Sequence, residues 1–323
     1  MTVNLTRRGA LALGAGALVA ASAGLPVRAS SNELRIGWQK GGTVALLKGK
    51  GLLEQRLAPR GITVSWKEFT SGPPLLEALG AGALDFGHTG DVPPLFALAA
   101  RQDVVLVGTY SGSPTGSAIL VKQDSPIKTV ADLKGQKLAF KRGSSAHNVA
   151  LQVLRSAGLS LDEVEQVDLG PPDAGPAFAN GSIDAWSIWD PYTAVAEKDP
   201  STRVLATADG LLPSYGFFLA NGAYAKANEE TIVTAIETLR EVGQAAQNDL
   251  DGTVAAFAAA TGLDPAVLKV VATRKDQDYG NITFIEDKHV AYEQGLANDF
   301  HALGIVPVQL DIAASVWHPK SSS

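Results

Sequence analysis

The sequence predicts an α/β fold in which one α/β unit is inserted into another. Short apolar runs alternate with segments of helical periodicity up to about residue 219, and this alternation is typical of α/β proteins. After Tyr224 the periodicity is helical almost throughout. A cryptic internal repeat relates the two units. These three observations favour two similar α/β units followed by a helical C-terminal region.

The elements of the first unit follow from residue patterns. The run at 104–110 is wholly apolar at its start and predicts a buried strand, whereas 63–69 alternates and predicts a half-buried one. Pro73 favours a helix start, and Gly49 and Gly51 weaken the helix that contains them. We predict strands over 34–38, 63–69, 84–88 and 104–110, and helices over 44–57, 73–79 and 94–100.

The second unit and the C-terminal region follow the same rules. We predict strands over 118–121, 137–140, 164–169, 185–188, 203–205 and 217–219, helices over 149–159, 174–178 and 193–197, and a helical turn over 130–133. Further helices are predicted over 229–248, 253–259, 265–271 and 287–302. We therefore expect one lobe from 32–119 plus 220–323, and a second lobe from 120–219.

The first 29 residues have the pattern of an export signal. Arg7 and Arg8 precede an apolar, Gly-rich run that is too short for a stable membrane span. The twin arginines favour the twin-arginine export route over the general secretory route, which stays an alternative. We predict cleavage after Ala29 and a periplasmic location for the mature protein.

The composition excludes several classes of function. Without residues 1–29 the chain keeps 24 basic and 33 acidic residues, a formal charge of −9, which argues against nucleic acid and anionic membranes as partners. The absence of cysteine excludes disulfides, thiolate metal sites and a cysteine nucleophile. The five histidines lack metal-site spacing, so we predict no metal and no cofactor.

A repeat places polar turns at corresponding strand ends of both units. Residues 82–85 with Asp91 match residues 181–184 with Asp190 in the form G-x-Φ-D-x5-D, 99 positions apart. Residues 36–41 match residues 138–143 more loosely. Because ligands bind at the carboxyl ends of strands in open α/β sheets, the four turns predict a cleft between the units.

The turn at residues 140–148 illustrates what such a cleft offers. No acidic residue lies between Phe140 and Leu161, although first turns of helices usually carry one. Free N–H groups and the positive pole of the helix dipole would suit an external anion. The alternative is that Ser144 or Ser145 is only an N-cap.

A binding cleft explains these residues better than a catalytic site does. Asp91 and Asp190 as a catalytic carboxylate pair remain an alternative, but nothing else converges on that chemistry. Aromatic residues at 189, 192, 215, 217 and 218 are candidates for a wall. The candidate binding residues are Gln39, Thr89, Gly90, Asp91, Ser144, Ser145, His147, Asn148, Trp189, Asp190 and Tyr215.

Several blocks of the sequence resemble the aliphatic sulfonate-binding proteins of ABC importers. The most specific are residues 143–148 (GSSAHN) and 189–192 (WDPY), supported by residues 38–41, 89–94 and 125–135. The resemblance implies a two-lobed type II periplasmic-binding-protein fold with two hinge crossings. It also implies a monomer without enzymatic activity that captures an alkanesulfonate and delivers it to a membrane permease.

Alternatives to sulfonate binding stay open at this point. Taurine-binding, nitrate-binding and thiamine-precursor-binding relatives share the pattern, and sulfate is a further candidate anion. The enzymes of the thiamine-precursor branch use a Cys-rich motif that this chain lacks. A periplasmic hydrolase on the same scaffold is the alternative from another class.

Overall fold

The computed structural model describes residues 32–320. The predicted export signal lies outside the described residues. The strands are β1 Glu33–Trp38, β2 Thr63–Glu68, β3 Phe86–Gly90, β4 Val104–Ser111, β5 Ser117–Lys122, β6 Lys137–Phe140, β7 Glu165–Asp168, β8 Ala185–Trp189, β9 Thr202–Thr207, β10 Tyr215–Asn221 and β11 Ile282–Thr283.

The helices are α1 Gly42–Lys50, α2 Leu52–Leu57, α3 Gly72–Gly80, α4 Val92–Ala99, α5 Ser145–Ser156, α6 Pro171–Ala179, α7 Tyr192–Glu197, α8 Gly222–Ala227, α9 Glu229–Asn248, α10 Leu250–Thr261, α11 Pro265–Ala272 and α12 Asp287–Ala302. The single helix expected over 44–57 is two helices. Gly51 between them has φ of 60°, a left-handed conformation that ends α1 at little steric cost.

The strands form two mixed sheets, which confirms the α/β class. The first sheet has the order β11-β4-β10-β3-β1-β2, and the second has the order β7-β6-β8-β5-β9. In each sheet a βαβαβ unit supplies two parallel pairs, β1 with β2 and β3, and β6 with β7 and β8. We call each sheet with the helices packed on it the first and the second lobe.

The chain passes between the sheets twice, at residues 112–116 and 208–214. Strand β10 pairs with β3 and β4, so the return to the first sheet begins before the expected residue 220. Both neighbouring phenylalanines of this strand are core residues. Phe217 packs on one face of the first sheet and Phe218 on the other, so neither forms the cleft wall.

Helix α12 packs on the second lobe although it follows the return to the first. Leu296 and Phe300 join the same apolar cluster as Ile119 and Phe140, and Arg155 of α5 forms an ion pair with Asp299 of α12. The C-terminal region therefore contacts both lobes. The exact lobe boundaries stay a prediction.

The first aspartate of the repeat has the same structural role in both lobes. The Asp85 carboxylate accepts the N–H of Arg35 on β1 at 2.9 Å, and the Asp184 carboxylate accepts the N–H of Lys137 on β6 at 2.8 Å. Each carboxylate thus links the segment before one strand, β3 or β8, to the adjacent parallel strand, β1 or β6. Asp85 is completely buried and also receives the Arg35 guanidinium.

Candidate functional site

A cavity of about 170 Å³ lies between the two lobes. A water needs roughly 10–15 Å³ by such a measure, so the space suits a small organic molecule. Strand ends and helix starts from both lobes line it, as the repeat predicts. Eight of the candidate residues line the cavity: Gln39, Gly90, Asp91, Ser144, Ser145, Trp189, Asp190 and Tyr215.

Three candidate residues do not line the cavity. Thr89 is completely buried, and its hydroxyl donates to the Gly90 carbonyl. His147 stacks on Phe140 with ring centroids 4.9 Å apart, and burial lowers the pKa of its imidazole to about 4. Asn148 donates to the Asp91 carboxylate at 2.7 Å. All three residues lie behind those that line the cavity and do not face it.

Helix α1 presents an uncompensated N-terminus to the cavity. Its first turn holds no acidic residue, and no side chain caps it. Main-chain hydrogen bonds of residues 32–320 use neither the Gly42 nor the Thr43 N–H, as expected for the first turn of a helix. Gly41 lies against the second lobe, where an added Cβ would stand 3.2 Å from the Asp190 carbonyl oxygen.

Helix α5 differs because a carboxylate from another element meets its first turn. The Asp91 carboxylate accepts from Asn148, from Tyr292 at 2.8 Å and from the Ser145 hydroxyl. Burial raises the pKa of Asp91, but every one of these partners donates, so we assign an ionised carboxylate. The Ser144 hydroxyl is also used, since it donates to the Lys141 carbonyl at 2.7 Å.

Asp190, which is the second aspartate of the repeat motif in the second lobe, forms an ion pair. Asp190 accepts two hydrogen bonds from Arg274, at 2.9 and 3.1 Å, and Arg274 also donates to Glu197 at 2.7 Å. Burial raises the pKa of Asp190, and the guanidinium opposes that shift. The two aspartates therefore have different partners, neutral donors at Asp91 and a guanidinium at Asp190.

The wall of the cavity combines aromatic and aliphatic side chains. Trp189 and Tyr192 pack edge to face with centroids 6.2 Å apart. Tyr215 meets the rings of His289 and Tyr292 edge-on. Further apolar lining comes from the side chains of Pro93, Val149, Pro191, Ala208, Leu212 and Val271.

Sequence reasoning missed four residues of the site: His88, Arg274, Tyr279 and Tyr292. His88 lies two positions before Gly90, at the end of a strand that the repeat had singled out. The other three lie in the helical C-terminal region, where no repeat or motif marks them. Asp276 in the same region accepts the Thr115 N–H at 2.7 Å and so joins this segment to a chain crossing.

Residues 32–320 contain no group of histidine and acidic side chains arranged to hold a metal ion. Among the same residues, no helix is both long enough and apolar enough to cross a membrane. The polar groups that line the cavity include main-chain donors, hydroxyls, the carboxamides of Gln39 and Gln277, the Lys40 ammonium and the carboxylates of Asp91 and Asp190.

Comparison with known proteins identifies the family. Residues 58–252 match the family model described as NMT1/THI5 like. An aliphatic sulfonates-binding protein of Escherichia coli (strain K12) is 39% identical over 306 residues, which cover 94% of this chain and 95% of that protein. These matches confirm the resemblance drawn from the sequence motifs.

Solved structures agree with this result. The alkanesulfonate-binding protein SsuA from Xanthomonas axonopodis pv. citri, bound to MOPS, superposes with a TM-score of 0.84, at 39% identity over 90% of this chain and 99% of that chain. The periplasmic aliphatic sulphonate binding protein SsuA from Escherichia coli gives 0.80 at 38% identity, covering 91% and 94%. A desulfurization enzyme, DSZB, gives 0.66 at 12% identity and shares the fold alone. The chain therefore belongs to the NMT1/THI5-like family and groups within it with the aliphatic sulfonate-binding proteins.

Proposed function

We propose that this protein is an extracytoplasmic solute-binding protein that captures aliphatic sulfonates in its interlobe cavity. It then delivers them to the membrane permease of an ABC importer. The relatives reported above at 38–39% identity are binding proteins, and one of them is described as bound to MOPS, which is itself an organic sulfonate. Periplasmic location and a monomeric state are parts of this proposal.

The observation that carries the proposal is the set of free donors in the cavity. A sulfonate is tetrahedral, carries one negative charge and only accepts hydrogen bonds near neutral pH. The start of α1 offers N–H groups and a positive dipole end without an acidic residue in its first turn. The carboxylates that line the cavity are already engaged, Asp91 by neutral donors and Asp190 by Arg274. They leave these donors to the ligand.

The organic tail of the ligand would lie on the apolar wall. Trp189, Leu212 and Val149 belong to the second lobe or to the crossing beside it, and they line the same cavity as the α1 N-terminus. A ligand with an anionic head and a short apolar tail would therefore contact both lobes at once. Such a contact favours the closed arrangement, which we propose is the form that docks on the permease.

A thermal-shift screen tests the proposal against the other anions. The panel contains ethanesulfonate, butanesulfonate, taurine, nitrate and sulfate, in Tris buffer because common sulfonate buffers are themselves candidate ligands. We expect the melting temperature to rise with the alkanesulfonates, since a ligand that binds only the folded state stabilises it. A rise with nitrate or sulfate and none with any sulfonate would replace sulfonate binding by inorganic anion binding.

A further inference from the structure

The loop between α11 and β11, residues 273–281, contacts both of the segments in which the chain crosses between the lobes. The loop itself belongs to the first lobe, because Tyr279 packs in the core of that lobe and β11 pairs with β4. Asp276 of the loop bonds to the first crossing, and Lys275 forms an ion pair with Asp209 of the second crossing. The α11–β11 loop is therefore a third, non-covalent connection between the lobes.

The Asp276 carboxylate makes three hydrogen bonds to the first crossing. One of its oxygens accepts the hydroxyl of Ser113 at 2.7 Å and the hydroxyl of Thr115, and the other accepts the Thr115 N–H at 2.7 Å. Hydrogen bonds to an ionised group are roughly twice as strong as those between neutral groups. Because the first crossing consists only of residues 112–116, these bonds hold a large part of it.

The same crossing also meets the ion pair of Arg274. An added Cβ on Gly116 would lie 2.5 Å from Oδ2 of Asp190, and that oxygen accepts from the Arg274 guanidinium at 2.9 Å. Arg274 and Asp276 thus hold one short stretch of chain where it enters the second lobe. The ion pair of Lys275 with the second crossing is exposed on both sides and should contribute little.

Asp278, two positions further along the loop, provides an internal comparison. Its carboxylate also accepts three hydrogen bonds, from the N–H groups of Gly280 and Asn281 and from the side chain of Gln247. All three donors belong to the loop itself or to α9 of the first lobe. The two aspartates thus accept the same number of bonds, but those of Asp276 reach a crossing and those of Asp278 stay within one lobe.

The loop and the first crossing both border the interlobe cavity. Ser113 and Gly116 of the crossing line the cavity, and so does Gln277 of the loop. Asp276 and Thr115 do not belong to the cavity lining. Breaking the contact between these two residues therefore removes no group that a ligand would touch, and a loss of affinity would report on the arrangement of the lobes.

We propose that Asp276 is a positioning residue for ligand binding, which fixes the first crossing to the α11–β11 loop and so sets the angle at which the lobes close. This inference rests on the proposed function, because it concerns how the two lobes come together around the sulfonate. Without the carboxylate the crossing can adopt other orientations, and fewer molecules have the closed geometry. The apparent affinity falls by the same factor as that fraction.

Calorimetric titration of ethanesulfonate into the Asp276→Asn and Asp278→Asn variants tests the proposal. Asparagine keeps the shape of the side chain but replaces one acceptor oxygen by a donor, which cannot accept the Thr115 N–H. We expect Asp276→Asn to bind roughly ten- to a hundredfold more weakly than wild type, and Asp278→Asn to bind within about threefold. Thr115→Val, which removes a single hydroxyl, is a milder second variant that should weaken binding by about three- to tenfold. Melting curves establish that each variant is folded.

Interlobe distances from pulsed electron paramagnetic resonance give a readout that a purely local role would not change. The chain contains no cysteine, so Glu237→Cys on α9 and Asp173→Cys on α6 place one spin label at an exposed position of each lobe. In the ligand-free protein we expect a broader distance distribution in Asp276→Asn than in wild type. The distribution in Asp278→Asn should match that of the wild type.

The outcomes separate this inference from the proposed function. Wild-type affinity or wild-type distances in Asp276→Asn, or equal losses of affinity in the two aspartate variants, would overturn the role of Asp276 and leave sulfonate binding intact. A wild-type protein that binds no sulfonate would overturn the proposed function. The distances in the ligand-free variants would then decide by themselves whether Asp276 sets the arrangement of the lobes.

Discussion

Removing the Arg274 guanidinium is expected to weaken ligand binding, although Arg274 itself does not contact the ligand. Arg274 follows α11, whose Leu268 packs in the core of the first lobe. Its partners Asp190 and Glu197 belong to the second lobe. The side chains of Arg274 and Asp190 are 13% and 12% exposed, so the pair is largely shielded from water. The contact joins the lobes only when they lie close together.

The magnitude follows from this burial. Removing one partner of a buried ion pair typically costs 3–5 kcal/mol, because the other charge is left uncompensated. If Arg274→Met destabilises the closed arrangement by about 3 kcal/mol, the affinity for a ligand that requires closure falls on the order of a hundredfold. The Asp190→Asn variant, and the double variant with Arg274→Met, complete a double-mutant cycle measured by calorimetry.

The cycle separates the ion pair from unrelated effects of each substitution. We expect a coupling free energy of about 2 kcal/mol between positions 190 and 274, within the range found for residues in contact. Lys198→Met is the control, because its ion pair with Asp264 also joins α7 to α11 but is exposed on both sides and should contribute less than about 1 kcal/mol. A coupling below about 0.5 kcal/mol would refute the view that this pair stabilises closure.

Three further predictions concern single positions. Because the folded-state pKa of His147 is about 4, stability is fully present above the unfolded pKa of about 6.5 and is lost as pH falls towards 4. Between pH 7 and pH 5, the free energy of unfolding of the His147→Phe variant, measured with urea, should fall by about 2 kcal/mol less than that of the wild type. Equal decreases in the two proteins would contradict this. Gly90→Ala should weaken sulfonate binding at least tenfold in calorimetry, since the added Cβ would overlap the Ser145 hydroxyl; unchanged affinity would show that the lobes need not approach there. Asp85→Asn should cost about 3 kcal/mol in chemical denaturation and Asp184→Asn about 1 kcal/mol, because only the first carboxylate is completely buried and paired with an arginine. Equal costs would count against burial as the cause.

The α/β class and the strand ends of the cavity could be predicted because they depend on local patterns. The two G-x-Φ-D segments are short, and the residues within each are neighbours in the chain. Their common role became visible only in the structure, where Asp85 and Asp184 receive N–H groups 50 and 47 positions away. The pattern therefore indicated equivalent sites without indicating the contacts that make them equivalent.

The partners of the site could not be predicted, because they come from distant segments. Arg274 is 84 positions from Asp190, and Tyr292 is 201 positions from Asp91. No periodicity or spacing links such residues. Such a separation along the sequence also explains why the N-terminus of α5 was predicted to be available to an anion. Its own first turn has no acidic residue, but the carboxylate of Asp91, the N-cap residue of α4, reaches it from 57 positions before Asn148.

The central claim is that the cavity selects a tetrahedral, singly charged, acceptor-only head on a short apolar tail. Calorimetric titration of butanesulfonate, butyrate and nitrate into the ligand-free protein in Tris buffer at pH 7.5 tests it most directly. The account predicts tight binding of butanesulfonate, and binding of butyrate and nitrate that is weaker by about a hundredfold or more. Nitrate or butyrate binding as tightly as butanesulfonate would contradict it.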